Sequence, residues 1–154
     1  MTRVYRILRA PYSRNPLDGE GAYRFGGRWS SRGTRLAYTS VHLSLAMIEY
    51  FVHIDSDDPP RDLVVVGVDV PEHISRVSPG LKRLPENWRQ SPPPACLAAI
   101  GDEFAASRKA AILMVPSALV PAESNWLINP LHPQAAGIRV RPPEPFRYDE
   151  RFFR

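Results

Sequence analysis

Three side chains of complementary chemistry lie within about two dozen residues: Arg28 in Gly26-Gly27-Arg28-Trp29, Tyr38 at the end of a short apolar run, and Glu49 on an apolar stretch. An arginine beside glycines can fork onto a phosphate or carboxylate, because the glycines let the backbone come close to a ligand. His42, Ala46, Glu49 and His53 recur at i, i+4, i+7 and i+11, one stripe of a helix. The rest of that helix is apolar nearly all round, so it should be buried. A buried carboxylate needs a partner or a task. Pairing with His53 or an arginine would satisfy the first, and catalysis the second.

Other chemistries fit less well. Two histidines and a glutamate suggest a metal, but the HExxH spacing is absent and no metal is expected. Gly26-Gly27-Arg28 matches neither GxxxxGK[ST] nor GxGxxG. Ser117 follows an apolar strand without the GxSxG elbow of a hydrolase. Glu123 to Pro130 adds Ser124, Asn125 and Trp126, which ordinary Ser and Asx turns at a strand exit would also explain.

The elements that must carry these residues can be read in order. Val4–Leu8 reads as an opening strand, Pro11–Gly27 as loop, and Leu36–Thr39 as a strand. Ser40 is positioned to cap a helix over Val41–His53. Leu63–Val70 is the strongest strand, β-branched and suited to burial on both faces. Ala95–Ser107 reads as a helix weakened by Gly101, and Ala111–Val115 as a buried strand. Ala122–Pro130 reads as a polar loop, Gly137–Arg141 as a strand, and Pro145–Phe153 as a last edge strand. Strands outnumber helices and do not alternate with them, so the expected class is α+β in one domain over residues 1–154.

Charge narrows the partners. Residues 1–35 hold eight arginines against Asp18 and Glu20, and 18 of the 20 basic residues are arginine. That bias suits an anionic ligand or acidic partner, and equally a solvated arginine-rich surface. The 17 prolines, about 11% against a usual ~5%, cluster between periodic segments as stiff connections. One cysteine, Cys96, excludes an internal disulfide or a cysteine cluster. With no signal-peptide core and no apolar run of about 20 residues, the expectation is a cytoplasmic protein with no membrane contact. A basic nucleic-acid-binding module is the rival class, with Tyr5, Tyr12 and Tyr23 available, but no RRM, KH or zinc-finger signature supports it. A non-catalytic interaction protein is a third, opposed by arginine, tyrosine and glutamate occurring together.

Taken together, Val4-Tyr5-Arg6, Gly26-Gly27-Arg28-Trp29, Leu36–Ser40, Leu45–Glu49 with His53, Leu84–Trp88, Val115-Pro116-Ser117 and Asn125–Pro130 resemble the RES domain family. The family's arginine, glutamate and serine match Arg28, Glu49 and Ser117, with Ser124 as a competitor for the serine. Ser30 stands where the family often has asparagine. The resemblance implies a strongly bent central sheet flanked by helices, as in ADP-ribosyltransferases. It implies the toxin of a bacterial toxin–antitoxin pair that acts on NAD as substrate, with no cofactor. The reaction would be phosphorolysis, hydrolysis or transfer of ADP-ribose to a protein. It also implies an Xre-like helix-turn-helix antitoxin covering the active site, with homo-oligomers possible within the complex and no direct DNA binding by the toxin. In that setting Glu49 would hold the ribose, aided by His53. Arg28 would clamp the diphosphate, aided by Arg6 and the Gly27 backbone, and Tyr38 would pack on the nicotinamide ring. Ser40, Ser117 and Asn125 would supply hydrogen bonds to ligand.

Overall fold

The computed structural model describes residues 1–154. Eight strands form one sheet: β1 (Thr2–Arg9), β2 (Ala37–Ser40), β3 (Leu63–Val70), β4 (Arg76–Val77), β5 (Ile112–Pro116), β6 (Ser124–Ile128), β7 (Arg139–Val140) and β8 (Glu144–Pro145). Three helices complete the α+β fold: α1 (Glu20–Phe25), α2 (Leu43–Phe51) and α3 (Ala95–Ser107). The strand order is β4-β5-β6-β2-β1-β3-β7, with β8 also pairing β3; only the β4–β5 pair is parallel. No helix is long and apolar enough to cross a membrane.

Strand alternation decides which residues share a face. Val4 and Leu8 of β1 and Val66, Val68 and Val70 of β3 meet Ala37, Ile112, Trp126 and Ile128 of β2, β5 and β6 in one buried cluster. Two ends of a sheet can share a cluster on the same face only if the sheet curls around it, giving a half-barrel. The bend falls at β2. That strand pairs with β6 along its whole length but with β1 only at Tyr5↔Ser40.

The outer face carries the longer helices. α3 packs Leu97, Ile100 and Phe104 against Leu113, Val115 and Leu127. α2 lays Ala46, Met47, Tyr50 and Phe51 over Ile7, Leu63 and the C-terminal aromatics.

Several expectations need correction. α2 starts at Leu43 with His42 as its N-cap, because Ser40 is a β2 residue whose side chain is used elsewhere. Nor is α2 enclosed nearly all round: Leu43, Ile48 and Val52 are exposed, since the sheet and the tail cover only part of its circumference. The segment read as a polar loop holds β6, an inner strand flanked by β5 and β2. Its Ser124-Asn125 start is polar because it emerges at the cluster described next. Within the stretch read as loop lies α1, and the expected last strand is only β8 followed by a turn of 3-10 helix at Glu150–Phe153. Four of the eight arginines at the amino end are paired within the chain, Arg3 with Asp69, Arg9 with Asp62, and Arg24 and Arg35 with Glu20.

Candidate active site

Two groups of polar side chains rise from β2. Tyr38 and Ser40 stand two residues apart on the outer face, so their roots are about 7 Å apart. Each organises one wall.

Ser40 begins the carboxylate wall. Its Oγ donates to Asn125 Oδ1 at 2.7 Å, which turns the Asn125 amide so that Nδ2 donates to Glu49 Oε1 at 2.9 Å. Ser117 Oγ donates to the same Glu49 oxygen at 2.6 Å. The Ser117 hydroxyl is itself fixed, accepting from the backbone N–H groups of Leu119 and Val120 at 3.1 and 3.0 Å. Ser117 thus forms the turn after β5, as read from the sequence, and in addition holds the glutamate, where the resemblance implied hydrogen bonds to a ligand. The residue is fully buried, at 0% exposure, and its hydroxyl is occupied on both sides. It therefore orients Glu49 and is not free to touch a ligand. The Ser124 side chain makes no such contact; its carbonyl accepts from Val41 N–H. The two donors converge on Oε1, and no protein donor or cation engages Oε2.

Tyr38 begins the arginine wall. Its hydroxyl accepts from the Trp29 N–H at 3.1 Å and shares a hydrogen bond with Ser30 Oγ at 2.8 Å. Burial raises the Tyr38 pKa, so the group stays a neutral phenol. A Cβ added at Gly27 would lie 2.7 Å from this hydroxyl, which explains the glycine there. Trp29 is buried against α3. Arg28 Nη1 donates to the carbonyls of Trp88 and Gln90 at 3.0 and 2.8 Å, and no carboxylate pairs with it. One edge of the guanidinium is held by the protein while its charge stays uncompensated. Tyr38 thus anchors the turn that carries Arg28, a different job from the ring stacking expected of it. Replacing Tyr38 by Phe leaves the Trp29 N–H without an acceptor, and the stability loss read from urea midpoints should be about 1–3 kcal/mol.

Two expected residues stay outside. Arg6 pairs with Val66 on the inner face, because its neighbour Tyr5 shares the outer face with Ser40. Burial lowers its pKa, Asp18 opposes the shift, and it makes no contact with Glu49. His53 lies exposed beyond the end of α2, with only its N–H bonded, to the Tyr50 carbonyl. Other groups were not foreseen: Ser30, the carbonyls of Trp88 and Gln90, and Asp102, which accepts from Ser31 N–H at 2.9 Å. Ser30, buried and bonded to Tyr38, was visible only as the departure after Gly26-Gly27-Arg28-Trp29. A groove of about 930 Å³ lies elsewhere, among Leu17, Asp18, His132, Ile138 and Pro142, and includes none of the expected residues.

A family model, the RES domain, matches residues 3–149. The chain belongs to the RES domain family. Among RES-type relatives, the Prs ADP-ribosylating toxin of Sphingobium sp. (strain YBL2) is 36% identical over 147 residues, covering 93% of this chain and 90% of that protein. Toxin Res of Yersinia enterocolitica is 36% identical over 130 residues, covering 84% of each. The fold is similar to a chain of the M. tuberculosis MbcT-MbcA toxin–antitoxin complex, with a TM-score of 0.74 at 17% identity over 94% of this chain and 84% of that one. This RES domain therefore shares the fold of a chain of that complex, with its own sheet curled as described above.

Proposed function

We propose that the chain is the toxin of a toxin–antitoxin pair and that it breaks the nicotinamide–ribose bond of NAD. The observation that carries this reading is the half-liganded carboxylate. Oε1 of Glu49 is fixed by Ser117 and Asn125, which leaves Oε2 available to ribose hydroxyls and to charge developing on the sugar. Cleavage of that bond sends its electron pair to the departing nicotinamide nitrogen and leaves an oxocarbenium-like ribose, which a fixed anion stabilises. The acceptor then bonds to the same carbon and gives up its proton. Arg28, held on one side by two carbonyls, presents its remaining N–H groups to the diphosphate.

Two sets of names support the toxin reading: the relatives called toxins and the similar fold within a toxin–antitoxin complex. An antitoxin would find an apolar surface beside the site in Leu43, Ile48, Val52 and Leu119, all exposed. For the acceptor, phosphate or water remains the first reading. Transfer to a protein is the second, favoured by the relative named an ADP-ribosylating toxin.

Incubating the purified chain with NAD, with and without phosphate or cell lysate, and weighing the products separates these outcomes. ADP-ribose 1″-phosphate means phosphorolysis, free ADP-ribose means hydrolysis, and a labelled protein means transfer. Release of no nicotinamide under any condition would overturn the proposal. In the same assay Arg28→Ala should raise KM for NAD more than 10-fold, roughly the loss of one charge-assisted bidentate grip.

A further inference from the structure

We infer that the C-terminal segment Phe146–Phe153 is a positioning device for Glu49, with the Tyr148 hydroxyl as its anchor on α2. The inference rests on the role proposed above for Glu49. After β8 the chain leaves the sheet, its last backbone tie being Phe146 N–H to the Leu63 carbonyl at 2.9 Å. It then folds along the flank of α2 through side chains. The Tyr148 ring stands edge-on to Phe146 and Phe152, with centroids 4.9 and 5.4 Å apart. Phe51 of α2 lies 5.6 Å from Tyr148 and 5.2 Å from Phe152. From within this cluster the Tyr148 hydroxyl donates to the carbonyl of Met47, in the middle of α2, at 2.6 Å. Burial raises the Tyr148 pKa, which keeps the donor protonated.

The need for such an anchor follows from α2 itself. It has nine residues, too few to be stable alone, and the His42 side chain does not cap it. Its place is set by what it packs on. Glu49 must meet Ser117 and Asn125, which come from other elements, at 2.6 and 2.9 Å. Those distances depend on how far the helix sits along its own axis. Helix carbonyls point along that axis, so a bond to the Met47 carbonyl opposes sliding, whereas ring packing alone tolerates it. Displacements near 1 Å at a reacting group can cost a large part of the rate.

The test is Tyr148→Phe, which removes the hydroxyl and keeps every ring contact, beside Tyr50→Phe, which removes a neighbouring hydroxyl that has no partner on α2. The Tyr148→Phe chain should lose about fivefold in kcat for NAD with KM little changed. Hydrogen exchange should quicken in the α2 amides and not in β3. Tyr50→Phe should behave as the parent. A folded Tyr148→Phe chain with parental kcat and parental α2 exchange overturns the inference, as does loosening of α2 and β3 alike. If the parent chain releases no nicotinamide, the proposed activity fails, and the exchange experiment still decides whether Tyr148 anchors the helix. Phe152→Ala, which loosens the same tail from outside, provides the second variant should Tyr148→Phe not fold; unchanged α2 exchange in it counts against the anchor.

Discussion

Glu49→Gln should fold like the parent and lose about 10²–10³ in NAD turnover, the usual loss when one stabilising group is removed from such a centre. Gln is nearly isosteric with Glu, and its amide oxygen can occupy the position of Oε1. There it still accepts from Ser117 Oγ and Asn125 Nδ2, so the network across α2, β5 and β6 survives. The change is concentrated on the other side of the group, where an amide NH₂ replaces the free oxygen. A neutral donor there cannot stabilise positive charge on a ribose, and it repels the hydroxyl protons that the carboxylate would accept. Thermal unfolding within a few degrees of the parent, together with lost nicotinamide release, is the expected pair of results. Near-parental turnover by the folded variant would remove Glu49 from the chemistry.

Gly101→Ala should destabilise the protein, although it improves a helix. Alanine in place of a helical glycine is ordinarily worth about 1 kcal/mol. Here a Cβ would lie 1.6 Å from the Trp29 carbonyl oxygen and 2.8 Å from its carbon, both backbone atoms. No rotamer relieves that overlap. Either α3 must move off the sheet or the Arg28 turn must move off α3. Overpacking of this kind costs roughly 1–3 kcal/mol and sometimes more, so the clash outweighs the propensity gain. A fall in Tm of roughly 4–8 °C is expected for a net loss near 2 kcal/mol. Because the displaced residue adjoins Arg28, KM for NAD should rise as well. An unchanged or raised Tm would mean that the helix and the turn are less closely joined than the structure has them.

Gly101 also illustrates what the sequence reveals and hides. As a sequence feature it weakens a helix, and α3 nevertheless spans Ala95–Ser107 as expected. Its purpose is a contact with a residue 72 positions away, which no local pattern encodes. The same holds for the carboxylate. That Glu49 needed a partner followed from its apolar helix, but the partners lie 68 and 76 residues further on. Locally both read as polar turn residues, Ser117 because it follows Pro116 at the exit of β5 and Asn125 because the start of β6 has the composition of a loop. Apolar periodicity located β1, β3, β5 and α3, where burial dictates residue type. It failed at β6 and at one side of α2, where the surface is polar or open. Tyr38 stands out in the sequence as a candidate, but the direction of its hydroxyl, toward Trp29 and Ser30, is not legible there.

The turn that carries Arg28 is tied on three sides, to the Tyr38 hydroxyl, to the carbonyls of Trp88 and Gln90, and to the bare face of α3 at Gly101. An enzyme that shields its chemistry with a lid needs a segment free to swing, and this one is bolted down. In the proposed role Arg28 would meet the diphosphate already in its working posture, and association should be a single kinetic step. This turn therefore cannot close over the site as a door. In the proposed toxin that turn is thus no brake, and the proposed antitoxin would supply one by standing over the site.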